Sequence, residues 1–82
     1  MNDKAKHIRE RFPDKNHAID LLIAEDPEFR AICEDHDACI NALGYWAESE
    51  EPAAEIRVNE YRTLIRELEE EVAQAFAALK PR

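Results

Sequence analysis

Apolar side chains recur at alternating steps of four and three along most of this chain, and that spacing constrains its fold more than any other feature. Phe29, Cys33, His36, Ile40, Leu43 and Ala47 follow it once. Ala54, Val58, Tyr61, Ile65, Leu68, Val72, Ala75 and Leu79 follow it again. The alternation averages the period at which two α-helices keep one stripe turned to each other along a coiled-coil seam. No strand-like alternation competes with it. Ile32, Leu64 and Phe76 widen the stripe, as expected of helices that touch more than one neighbour. Only about residues 48–52 separate the two seams, and a connection that short joins antiparallel neighbours. The expected architecture is all-α: an antiparallel coiled-coil helical hairpin with a short N-terminal helix, assembled into a helix bundle.

Proline and glycine mark the boundaries. Asp26-Pro27 reads as a helix start, because Asp26 can accept from free N–H groups and Pro27 has none to leave unpaired. Asp26 and Arg30 also have the i,i+4 spacing of an ion pair. Ser49-Glu50-Glu51-Pro52 reads as a second start, capped by Ser49 or Glu51. Pro13 marks the start of a shorter helix and Pro81 follows the last one. The chain reads as a single helical domain over residues 1–82. The hairpin helices span 27–47 and 53–79, and a short helix with Ile19, Leu22 and Ile23 on its apolar side spans 13–24. Residues 3–11 either extend that helix or fray, and 1–12 is read as a frayed basic arm. Gly44 either ends the first long helix as a C′ residue or sits inside it at a cost of ~1 kcal/mol. Continuation of the seam to Ala47 favours the second.

Length and charge bear on partners. A chain of 82 residues hides too little surface for a large single core, and chains of this size gain stability from disulfides, metals or oligomerisation. Two cysteines make no disulfide framework, so a homo-oligomer is expected, with a dimer of hairpins forming a four-helix bundle as first choice. Phe29, Cys33, His36, Ile40, Leu43, Val58, Tyr61, Ile65, Leu68, Val72 and Leu79 are then also the oligomer seam. The net charge is −8. Residues 1–15 carry five Lys and Arg against three acids, whereas the remainder carries six against sixteen. Such a balance disfavours nucleic acid, whose phosphates need a basic footprint. The basic arm is either a solvated tail or a segment that docks on an acidic face. No apolar run approaches the length of a membrane-spanning helix. Met1-Asn2-Asp3-Lys4 leads into charged residues rather than a hydrophobic signal region, so a cytoplasmic setting with reduced thiols is expected.

Side chains with chemical potential are few. Cys33 and His36 share a helix face, whereas Cys39 lies about 120° away at ~100° per residue. One helix thus supplies two of the four ligands a structural zinc site needs. His36 could activate Cys33 as a nucleophile, but no orienting third group or oxyanion loop accompanies them. No catalytic, cofactor-binding or metal residues are assigned, and the thiols are expected unbridged and without metal. His36 is expected to be buried in the seam, neutral, and bonded to a facing Tyr or Glu. A facing carboxylate could instead hold it charged. Tyr45 and Trp46 lie near the hairpin tip, where they either contact a partner or fold over the end of the bundle. Glu67, Glu69, Glu70 and Glu71 read as a solvated face, with Arg66 offsetting part of their repulsion.

The run Arg11-Phe12-Pro13-Asp14, the Asp26-Pro27-Glu28-Phe29 start, and Glu34-Asp35-His36-Asp37 followed by Ile40 resemble the YdcH-like family of short bacterial proteins. The second helix of that family, rich in Leu, Glu and Lys or Arg, corresponds to residues 61–72 here. The resemblance covers most of residues 11–79. It implies an oligomeric helical hairpin and supplies no established biochemical activity. The expected function is therefore a small non-enzymatic interaction or scaffold module. The alternative is a metal- or ligand-binding regulator using the Cys33/His36 region.

Overall fold

The computed structural model describes residues 5–79. It holds α1 (Lys6–Arg11), α2 (Asn16–Glu25), α3 (Pro27–Ala47) and α4 (Ala54–Ala78), with no strand among the described residues. The long helices α3 and α4 pack antiparallel over their lengths, and α1 and α2 lie against α3 at one end. The fold is the all-α hairpin that the seam spacing calls for.

Asp26 makes the sharpest junction. Its backbone N–H closes α2 on the Leu22 carbonyl, while its Oδ1 accepts from the Glu28 and Phe29 N–H groups at 3.0 and 3.3 Å. One residue thus ends a helix and caps the next, with Pro27 in the first turn of α3. Arg30 is spaced to pair with Asp26 but donates instead to the Ile23 carbonyl, from Nε at 3.3 Å and Nη2 at 3.0 Å. That carbonyl lies in the last turn of α2, where orphan acceptors collect. Gly44 stays inside α3, which runs on to Ala47.

Three boundaries differ from expectation. The arm is not frayed where the structure describes it: Lys6–Arg11 form a helix of their own, neither extending α2 nor loose in solvent. Ala5 and Ile8 are fully buried, and that apolar burial outweighs the short length of α1. Residues 1–4 of the arm and Pro81 lie outside the described residues. The short helix begins at Asn16 rather than Pro13. A turn closed by the Lys15 N–H on the Phe12 carbonyl occupies the interval, and Asn16 donates to the Pro13 carbonyl. The last helix begins at Ala54 with no side-chain cap. Ser49 Oγ accepts from the Glu51 N–H at 3.1 Å, so it shapes the turn ahead of the helix.

The core sits where all four helices meet. Ile8, Ile19, Leu22, Phe29, Cys33 and Val72 are buried there, with Phe12, Ile23, Ile32, Phe76 and Leu79 around them. Phe76 stacks edge-on to Phe12 at 5.3 Å and tilts against Phe29 at 6.1 Å, favourable aromatic geometries. Towards the tip the seam has only its own two helices. Ala54 and Ile65 are buried, but Ile40, Leu43, Val58, Tyr61 and Leu68 are half-buried and Ala47 is exposed.

Candidate functional site

His36 is 1% exposed. Its Nε2 lies 2.9 Å from Glu69 Oε2 on the facing helix. A carboxylate only accepts, so Nε2 carries the proton in this bond. The other carboxylate oxygen, Oε1, accepts from Arg11 Nε at 3.1 Å, so α1, α3 and α4 are tied at one point. His36 Nδ1 is buried and has no hydrogen-bond partner. Glu69 therefore departs from the expected solvated acidic face, although Glu67, Glu70 and Glu71 are exposed. The cation beside it is Arg11 rather than Arg66. The acidic run hides Glu69 among its solvated neighbours, yet a signal is there: it stands four residues after Ile65 and three before Val72, the step of the seam itself.

The rest of α1 is tied down in the same way. His7 donates its backbone N–H to Asp37 Oδ1 at 3.2 Å, and its ring Nδ1 is 2.7 Å from the same oxygen. Arg9 pairs with Asp20 of α2 at 2.6 Å. Of the two readings of the basic arm, docking on acidic side chains describes residues 5–11.

The cysteines separate. Cys33 is buried in the core, Cys39 is half-buried, and neither is disulfide-bonded. Burial and, secondarily, the Asp35 carboxylate push the Cys39 thiol up from 9.0. Both effects disfavour the thiolate that nucleophilic or metal chemistry would require. Among the described residues, no group of three or more His, Cys, Asp or Glu side chains is arranged to hold a metal ion.

Cys39 opens onto a groove of about 610 Å³ between α3 and α4. Ala38, Cys39, Leu64 and Leu68 line it with apolar surface; Asp35, Glu67, Glu70 and Glu71 line it with carboxylates. Gln74 adds an uncharged polar group, and no Lys or Arg takes part. Leu64, expected to widen the core stripe, is 44% exposed. At ~100° per residue, Asp35 lies about 200° around α3 from Asp37, to which α1 is bound. On α3 the groove therefore lies on the flank away from α1; on α4 its rim residue Glu70 also borders a cleft lined by Arg11 and Phe12.

At the tip, Tyr45 and Trp46 form a T-shaped pair with ring centroids 5.2 Å apart. Tyr45 is 64% exposed, and so is Ile56 at 62% beyond the turn. The aromatic pair does not seal the hairpin end, and an apolar surface remains open there. Among the described residues no helix is long and apolar enough to cross a membrane. Compared with known protein families, characterised proteins and solved structures, the chain matches none of them.

Proposed function

We propose that this protein is a non-enzymatic interaction module, a helical hairpin that self-associates, with a dimer as first choice, and offers its remaining surface to another protein. The observation that carries the reading is the incomplete cover of the seam beyond α1 and α2, where Ala54 and Ile65 are buried but most of their seam neighbours are not. Phe29, Cys33 and Val72 are closed from solvent where α1 and α2 join the hairpin, whereas Ile40, Leu43, Val58 and Tyr61 are half-open where they do not. Two helices side by side leave part of each stripe in water, and a second hairpin covers it. Exposed Tyr45 and Ile56 extend that surface to the tip. The resemblance to YdcH-like proteins points the same way. The Cys33/His36 alternative has weaker support, because Cys33 is closed off and Glu69 already holds His36 Nε2. A cytoplasmic setting suits two unbridged thiols.

Light scattering coupled to size exclusion at micromolar concentration tests the reading. The expected mass is twice the 9.5 kDa of one chain. A fully helical monomer overturns it.

A further inference from the structure

The α3/α4 groove has the chemistry of a receptor for one particular kind of segment. Its floor is apolar, with Leu64 and Leu68 one helical turn apart on α4 and Cys39 facing them from α3. Its charged lining is of one sign: Asp35, Glu67, Glu70 and Glu71. The groove runs between two antiparallel helices packed side by side, so a third helix laid along it continues the packing of the bundle.

A second copy of this chain fits poorly. Two grooves related by a two-fold axis would set carboxylates against carboxylates. Like charges brought together in this way repel, and the net charge of −8 adds to the effect. A helix with an apolar stripe flanked by Lys and Arg fits on both counts. Its stripe covers Leu64, Leu68 and Cys39, and its cations lie against the four carboxylates.

We infer that this groove binds a basic amphipathic helix of another protein. The inference deepens the interaction reading by giving the partner a chemistry. Leu68 belongs to both the seam and the groove floor, so self-association is read separately, by mass without any peptide.

The probe is a fluorescein-labelled peptide of about 18 residues containing only Leu and Lys, with Leu at helical spacing. A Leu/Glu peptide of the same pattern is the control. Anisotropy is expected to saturate at one Leu/Lys peptide per chain, with no binding of the control. Cys39 supplies a footprint, because it lines the groove while Cys33 is closed off in the core. Bound peptide should slow modification of Cys39 by an aromatic disulfide. Glu67→Gln/Glu70→Gln/Glu71→Gln removes three exposed charges and should weaken binding about tenfold, each pair contributing a modest factor. Leu64→Gln, at an exposed site, should abolish saturable binding while helicity by circular dichroism is retained. Equal binding of the Leu/Glu peptide overturns the inference, as does binding that leaves Cys39 unprotected. A fall in oligomer mass on Leu64→Gln, without peptide, would give the groove to a second copy and overturn it too.

Discussion

Glu69 and His36 share one hydrogen bond, yet losing either partner should have very different consequences. In Glu69→Leu, the imidazole of His36 remains at a site 1% exposed, with Nδ1 already unpartnered. Both ring nitrogens would then be unsatisfied out of reach of water. Stranding a buried polar group costs ~1–3 kcal/mol. Loss of the Arg11 pair adds little, since the Arg11 side chain is 58% exposed and exposed pairs contribute ~0.2–1 kcal/mol. A total near 2 kcal/mol is expected for Glu69→Leu. His36→Leu works the other way. Glu69 is 20% exposed and keeps Arg11, so it is not stranded. The substitution also removes the orphan Nδ1 and fills the space with apolar atoms. The change should stay within ~0.5 kcal/mol of zero or be stabilising. The double variant should recover most of the loss. Urea denaturation at one fixed protein concentration measures all four corners of the cycle, since self-association would make stability concentration-dependent. With a slope of ~1 kcal/mol per molar for a chain of this size, Glu69→Leu should lower the midpoint by about 2 M. Equal effects of the two single variants, or a coupling energy near zero, would refute the argument.

Gly44→Ala should stabilise the fold by ~0.5–1 kcal/mol, because Gly44 is inside α3 and an added Cβ meets nothing within 4 Å. Thermal melts by circular dichroism should show the rise; an unchanged or lower midpoint would contradict it. The Cys39 thiol, pushed up from 9.0 mainly by burial and then by Asp35, should react more slowly at mildly alkaline pH than a small-molecule thiol. Asp35→Asn should speed the reaction only in part, since burial remains. Equal rates for Asp35→Asn and wild type would rule out the electrostatic contribution.

The hairpin was legible in the sequence because a seam is a local property. Steps of four and three from Phe29 to Ala47 and from Ala54 to Leu79 are repeated many times, and one mismatched residue does not hide them. Asp26-Pro27 was legible for a similar reason: its cap acts on N–H groups two and three residues ahead. The α1 helix was not. Six residues carry too little intrinsic helicity to announce themselves, and α1 forms because Ala5 and Ile8 find a pocket made by residues distant in the chain.

The tertiary structure also decided which polar residues matter. Glu67, Glu69, Glu70 and Glu71 are one acidic run in the sequence, yet only the packed helices bring Glu69 to His36 and Arg11 while Glu67, Glu70 and Glu71 line the open groove. The 120° between Cys33 and Cys39 is legible from helical periodicity alone, at ~100° per residue; packing decided only that Cys33 enters the core and Cys39 borders the groove. Helical periodicity says which residues share a stripe. Which stripe is covered, by what, and how completely depends on contacts between residues 30 to 60 positions apart, such as His7 with Asp37 and Arg11 with Glu69. Those contacts follow from the relative placement of whole helices, which no local pattern encodes.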